Sequence, residues 1–251
     1  MSKIIMPGEE IEQEKTTPNY SYTDEKGTYA SVISLQTEDG KIIPLEGPYQ
    51  PTPNDYVIGH VSDVKFGGYE IDINSPYKAF LPMANAFNLK LSLGDIIIAK
   101  VKSVNEVRDV ELEDPRILKN GVLIRITPLK VPRLIGKRNS MLNILTYATE
   151  TKIYVGKNGL VFISQDGNYT LAIEAIKIIE KQAHVQGLTQ KIADFLAQKT
   201  NKQISIEDVQ QKSQTANYIL PEKQNNSVNY YHKSRFETSR PRQKKSFRFR
   251  R

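Results

Sequence analysis

Residues Val131–Ser140 read Val-Pro-Arg-Leu-Ile-Gly-Lys-Arg-Asn-Ser, and the fold turns on this stretch. The branched apolar residues up to Ile135 read as a strand that ends at Gly136. Two basic residues follow, then an Asn-Ser pair suited to capping a helix. The run Met141–Ala148 has helical apolar spacing. A basic glycine loop at a helix start is a cradle for phosphate. Glycine lets a backbone approach closely, and the first helical turn offers N–H groups without partners. An ordinary tight strand-to-helix turn is the alternative for this segment taken alone.

Working outward, Gly121–Leu129 reads as a strand and Ser140–Thr149 as a helix. Lys152–Val155 and Leu160–Ser164 form a hairpin across Gly156-Lys157-Asn158-Gly159. Asp166-Gly167-Asn168 opens a helix with Ile173, Ile176 and Ile179 on one face. A last helix, Leu188–Gln198, presents Leu188, Ile192, Phe195 and Leu196. A strand, a helix, two strands and a helix fit a small α+β unit.

Upstream, Asp55–Asp114 reads as five short strands: Tyr56–Val64, Tyr69–Ile73, Lys78–Pro82, Ile96–Val104 and Val107–Leu112. A short helical link, Met83–Leu89, follows the third. This is the size and rhythm of an OB-type barrel. Nearer the start, Tyr29–Leu35 and Lys41–Leu45 are strand-like, Asp39-Gly40 signals a hairpin, and Pro48–Pro53 reads as a boundary. Beyond Thr200 the composition shifts to Gln, Asn, Ser, Lys and Arg, which predicts disorder.

Cysteine is absent from the 251 residues, which excludes disulfides, thiolate catalysis and cysteine-ligated zinc. Met1–Lys15 has no apolar core for a signal peptide, and Ile96–Ala99 is typical of the longest apolar runs. A soluble, cytoplasmic protein without a membrane partner is expected. The net charge is +7. Segment Tyr231–Arg251 holds Lys233, Arg235, Arg240, Arg242, Lys244, Lys245, Arg248, Arg250 and Arg251 against Glu237 alone. It is therefore +8, and the remainder −1. The basic isoelectric point thus describes the tail and not the folded body, and a basic tail points to a polyanion less strongly than a basic body would, since tails also bind acidic protein surfaces or serve solubility.

Taken together in this order, the three modules resemble archaeal exosome cap subunits of the ribosomal-RNA-processing protein 4 type. The resemblance rests on Met6-Pro7-Gly8-Glu9, Ile43-Pro44-Leu45-Glu46-Gly47, Pro76-Tyr77 with Ala79-Phe80-Leu81-Pro82, Lys130-Val131-Pro132-Arg133, Ile135-Gly136-Lys137, Ser140-Met141 and Gly156-Lys157-Asn158-Gly159. It covers roughly Met6–Gln198. It implies a multidomain β and α+β chain: a small N-terminal β domain (1–53), an S1-type OB barrel (54–114) and a KH-type α+β domain (115–199). A disordered basic tail (200–251) lies outside the likeness. It also implies an archaeal source and a non-catalytic role without cofactor. Three copies would cap a hexameric ring of phosphorolytic ribonuclease subunits, alongside other cap subunits. They would capture single-stranded RNA and guide it to the central channel, with the N-terminal β domain docking on the ring. A freestanding RNA-binding factor in translation or transcription, a mainly structural adaptor and a nuclease are the alternatives.

KH domains clamp a nucleic-acid backbone through a Gly-x-x-Gly loop. Here Gly136, Lys137, Arg138 and Asn139 occupy that loop, with Asn139 in place of the second glycine. Asn tolerates the left-handed conformation at a steric cost and adds a side chain where RNA would approach, so weaker binding is expected. Arg133 and Lys130 extend the basic strip. In the barrel, Lys65, Phe66, Lys78, Lys102 and Arg108 are candidates for RNA, with solvated surface charge as the other reading of the cations. Tyr69 shares a register with Ile71 and Ile73 and is placed in the core or at its rim, leaving Glu70 and Asp72 outward. The Gly156–Gly159 motif reads as a hairpin turn with a structural role at the domain junction. His60, His184 and His232 are scattered over different modules, and Glu70 with Asp72 lacks further carboxylates, so neither a catalytic nor a metal site is predicted. In the tail, Ser246–Arg251 interleaves arginine with phenylalanine, which suits single strands; a polybasic tail without a defined site is the alternative.

Overall fold

The computed structural model describes residues 3–11, 20–36, 42–86, 89–183, 185 and 187–200. The Asp39-Gly40 turn, His184, His232 and everything beyond Thr200 lie outside the described residues.

The chain opens with five short strands: β1 (Lys3–Ile5), β2 (Ser21–Thr23), β3 (Thr28–Ala30), β4 (Ser34–Gln36) and β5 (Ile42–Pro44). They form two small antiparallel sheets, β1-β4-β5 and β2-β3. The strand expected over Tyr29–Leu35 is in fact two strands in different sheets. The bend between them carries local polar bonds that compete with a ladder: Ser31 N–H donates to the Tyr20 carbonyl, and the Ser34 hydroxyl to the Val32 carbonyl at 3.0 Å.

A closed five-stranded barrel follows, built from β6 (Tyr56–Lys65), β7 (Gly68–Asp72), β8 (Lys78–Pro82), β9 (Ile96–Val104) and β10 (Asp109–Leu118). Its order is β10-β8-β7-β6-β9, with β9 pairing back on β10. The OB-like rhythm is observed strand for strand, with a 3-10 turn at Met83–Ala86 after the third. The first four strands agree with the expected bounds to within a residue, whereas the last begins at Asp109 instead of Val107 and runs on to Leu118 instead of ending at Leu112. Register slips between Glu113 and Arg116, where Pro115 cannot donate to the ladder, and pairing with β9 then resumes. Val57, Val61, Ile71, Ile97, Val101 and Leu112 fill the interior.

The remaining elements are β11 (Gly121–Arg125), α1 (Val131–Ile135), α2 (Ser140–Thr149), β12 (Ile153–Val155), β13 (Leu160–Ser164), α3 (Tyr169–Lys181) and α4 (Leu188–Thr200). The three strands form an antiparallel sheet, β11-β13-β12. One face lies under the helices, with Val161 and Ile163 packed among Leu134, Ile144 and Ile176. The other lies on the barrel: Leu160 and Phe162 meet Ile58 and Ile98, which point outward from β6 and β9. Continuous apolar runs in β13 and at Val57-Ile58 are thus explained by burial on both faces.

The strand expected to end at Gly136 is overturned: Val131–Ile135 is a helix. Pro132 sits in the first turn, where a missing N–H costs nothing. Val131 and Leu134, one turn apart, are buried at 1% and 0% exposure. Thr127-Pro128 ends the preceding strand early, at Arg125 and not Leu129.

Candidate nucleic-acid interface

The glycine loop therefore joins two helices, α1 and α2. Gly136 closes α1 with φ +75°, its N–H donating to the Pro132 carbonyl at 2.9 Å. A Cβ there would lie 2.7 Å from the Met141 nitrogen, so the position needs glycine. Arg138 (φ 53°) and Asn139 (φ 62°) are both left-handed. Two such residues in succession turn the chain sharply into α2. Lys137 and Arg138 are thereby thrust into solvent at the turn. Asn139 holds the cap position of α2 without a side-chain cap bond.

The basic strip gathers here. Arg133, Lys137 and Arg138 are exposed and Lys130 is half-buried. Lys130 and Arg133 are three residues apart on one helical face. Among the described residues, no carboxylate pairs with any of the four cations. The entry to the strip is fixed from α3: one Glu180 Oε1 accepts from the Thr127 N–H at 2.8 Å and from its hydroxyl at 3.0 Å. No local pattern in the sequence marks Thr127 or Glu180. Fifty-three residues separate them, and only the packing of α3 on α1 brings them together.

The barrel candidates have a different environment. Lys65 is ion-paired with Glu70, which raises the lysine and lowers the carboxyl from their usual values through their shared hydrogen bond. Lys102 donates to Glu111 Oε1 at 2.7 Å. Glu111 also accepts from Asn85 at 3.0 Å, and the Lys102 bond, first, then burial against it and these further bonds, leave its carboxyl below the usual range. Lys100 meets Glu113 at 3.3 Å. Arg108 stacks over the Tyr77 ring at 5.9 Å. The Lys65–Glu70 pair and Glu111 border an open cleft of about 690 Å³, lined also by Lys78, Phe80 and Ser103. Of the five barrel candidates, Lys78 is exposed with no ion pair among the described residues, and Phe66 stands fully exposed on the β6–β7 turn. No hydrogen bond or ion pair among the described residues joins the barrel set to the α1–α2 loop.

Tyr69 is buried at 4% exposure in the barrel, its hydroxyl donating to the Leu89 carbonyl at 3.3 Å and accepting from the Leu91 N–H at 3.3 Å. Of the outward carboxylates, Glu70 is taken by Lys65, and Asp72 lies 3.9 Å from His60. Among the described residues no group of three or more His, Asp or Glu could hold a metal ion. No helix among them is long and apolar enough to cross a membrane.

The Gly156–Gly159 motif fastens the sheet to the barrel. Asn158 is fully buried, its Nδ2 donating to the carbonyls of Ile58 at 2.6 Å and Ile73 at 2.7 Å. Gly159 (φ +80°) passes so close to the Ile126 carbonyl that a Cβ would lie 2.3 Å from it.

Known proteins are similar to this chain. No family model matches the chain. The exosome complex component Rrp4 of Thermococcus kodakarensis is 40% identical over 198 residues, spanning 70% of this chain and 77% of that protein. Those of Pyrococcus furiosus (42% identical; 68% of this chain, 73% of the relative) and Methanobrevibacter smithii (34%; 82% and 74%) align similarly. This chain belongs to the exosome complex component Rrp4 family. A crystal structure described as an exosome complex RNA-binding protein superposes with a TM-score of 0.56 at 32% identity, covering 62% of this chain and 98% of that one.

Within this Rrp4-family chain the charge is divided in a way the overall balance conceals. Residues 1–114 carry 10 basic and 19 acidic side chains, whereas 115–199 carry 13 and 5. The body's −1 is thus an acidic first half beside a strongly basic α/β part, and the basic isoelectric point describes more than the tail. From Pro115 to Thr149 there is no acidic residue, and this acid-free run contains the whole basic strip.

Proposed function

We propose that this chain is a non-catalytic, cytoplasmic RNA-binding cap subunit of the archaeal exosome. Three copies sit on a hexameric ring of phosphorolytic ribonuclease subunits, alongside other cap subunits, and guide single-stranded RNA to the channel for 3'-to-5' degradation. Residues 1–53 form the β domain that docks on the ring, 54–114 with the end of the last barrel strand to Leu118 an S1-type OB barrel at the entrance, and the rest of 115–199 a KH-like domain, with the basic tail from 200 onward. Family membership supports assignment to the exosome. The observation that carries RNA binding is the α1–α2 loop: Gly136, Lys137, Arg138 and Asn139, with Arg133 and Lys130 beside it, put cations that have no carboxylate partner among the described residues at the start of α2, where helix N–H groups also favour anions. In the barrel the secondary contacts are Lys65, Phe66, Lys78, Lys102 and Arg108.

Native mass spectrometry of the chain with its organism's hexameric ribonuclease, alongside RNA decay assays, tests this. Three chains per ring and faster or more processive decay are expected. No complex, with RNA binding by the chain alone, would transfer the reading to a freestanding factor. RNA cleavage by the stringently purified chain would overturn the non-catalytic role.

A further inference from the structure

We infer that Glu180 is a positioning residue for RNA binding: from α3 it sets the orientation of α1, and with it the presentation of Lys130 and Arg133. This rests on the RNA-binding reading of the α1–α2 loop and extends that site to a residue on another element.

α1 has five residues, Pro132 among them. A helix this short does not hold itself and takes its course from what surrounds it. Val131 and Leu134 bury one face, and the ends decide how that face sits. Gly136 at the far end leads into the left-handed pair Arg138 and Asn139, a turn without a side-chain cap bond. The near end is the anchored one, bond by bond. Ile126 is buried, and its N–H donates to the Gly159 carbonyl at 2.8 Å, which ties the chain to the sheet. Thr127 follows as the cap of the 3-10 turn Pro128–Lys130, which runs straight into α1, and its side chain makes no cap bond to that turn. Its N–H and hydroxyl donate instead to Glu180 Oε1, at 2.8 and 3.0 Å. The Thr127 carbonyl in turn accepts the Lys130 N–H at 2.9 Å. Glu180 rides on a fixed backbone, because Ile176 and Ile179 beside it on α3 are both buried at 1% exposure. A chain of bonds thus runs from the core face of α3 to the backbone of Lys130, three residues ahead of Arg133.

Charge and position act in opposite directions here. A carboxylate beside a strip that receives phosphate repels the ligand, so by charge alone neutralising Glu180 strengthens RNA binding. By position, binding survives only if the acceptor for Thr127 is kept. Glu180→Gln and Glu180→Ala are both neutral, and only the first keeps an oxygen for Thr127. Their difference is the positioning effect with the charge effect removed.

The test measures binding of a fluorescent single-stranded RNA of about 20 nucleotides to the full chain across a salt series, at a temperature where melting curves show each variant folded. Glu180→Gln is expected to bind at least as tightly as the parent. Glu180→Ala is expected to bind roughly fivefold more weakly than Glu180→Gln at about 0.1 M salt, with a salt slope shallower by roughly 0.7, the loss of one phosphate contact. When Lys130→Gln and Arg133→Gln are also present, Glu180→Gln and Glu180→Ala are expected to bind alike. Thr127→Val removes the hydroxyl donor and keeps the N–H bond; it gives a smaller loss of the same sign and replaces Glu180→Ala if that variant does not fold. Equal affinity of Glu180→Gln and Glu180→Ala, or parent affinity of Thr127→Val in its place, overturns the inference and leaves Glu180 a contributor to stability alone. A difference that persists with Lys130→Gln and Arg133→Gln also overturns it, since the effect would not pass through those cations. In both cases the RNA-binding reading stands, whereas absence of RNA binding by the parent removes that reading and the inference with it.

Discussion

Asn158 holds Ile58 from both sides of one residue: its Nδ2 donates to the Ile58 carbonyl at 2.6 Å and its Oδ1 accepts the Ile58 N–H at 3.2 Å. The two residues are 100 positions apart. The contact closes where β6 leaves off pairing with β7, so the barrel strand has backbone groups to offer there. The Lys157 N–H adds a bond to the Tyr56 carbonyl at 2.9 Å. The turn between β12 and β13 thereby completes the hydrogen bonding of the barrel and seats the sheet on it.

Asn158→Ala leaves these buried backbone groups unpaired, each worth about 1–3 kcal/mol. A loss of roughly 3 kcal/mol or more is expected in urea denaturation. Asn158→Asp is expected to be worse, because a carboxylate would face the Ile58 and Ile73 carbonyls without solvent. An Asn158→Ala stability within about 0.5 kcal/mol of the parent would show that the turn merely touches the barrel.

Charge reversal at the loop separates binding from folding. Lys137→Glu with Arg138→Glu is expected to cost at least tenfold in RNA affinity, or about 1.4 kcal/mol, with a salt slope shallower by roughly 1.4. Both side chains are exposed and unpaired among the described residues, so the melting temperature stays essentially the same. A large drop in melting temperature would mean that the reversal acted through the fold.

The barrel pairs predict a pH dependence. Lys65 lowers the Glu70 carboxyl, and Lys102, first among several partners, lowers that of Glu111. A carboxyl lowered in the folded state contributes its pairing above the usual value of 4.5 and loses it as pH falls further through the folded value. Between about pH 5 and 8 the two lysines therefore stay occupied, and barrel binding of RNA is flat. Glu70→Gln with Glu111→Gln at neutral pH is expected to free both, steepening the salt slope by about 1.4 and raising affinity. An unchanged slope would show that the lysines do not face the RNA path.

Much of this is legible in the residues, for physical reasons that differ by element. The barrel strands alternate around a single core, and Tyr69, in step with Ile71, reads inward and lies there. The helix at Ser140–Thr149 has both periodicity and a start signal. Val131–Ile135 misleads because branched residues favour strands in isolation, while Pro132 at a first helical turn and the one-turn spacing of Val131 and Leu134 argue for a helix. Glu180 is beyond reach, since nothing local marks a carboxylate that caps a threonine from another element. The split of charge at residue 114 is readable and needs only counting by segment.

In the proposed RNA site, Asn139 is expected to set the strength of binding. It sits at φ 62°, after Arg138 at φ 53°, so the loop keeps its left-handed course without the second glycine. A non-glycine residue pays roughly 1–2 kcal/mol for that conformation, less for asparagine, and in the proposed binding mode its side chain would meet a sugar-phosphate backbone at the start of α2. Asn139→Gly relieves the strain in the free and bound states alike, and it removes the side chain from the RNA path while leaving every cation in place. RNA affinity is expected to rise three- to tenfold, about 0.7–1.4 kcal/mol, with an unchanged salt slope because no charge is altered. Gly136→Ala is the opposite change: its Cβ would press on the Met141 nitrogen at 2.7 Å, displacing the start of α2 and abolishing the gain when combined with Asn139→Gly. If Asn139→Gly instead weakens binding, the asparagine amide is itself a contact to RNA, and the loop grips by side chain as well as by backbone.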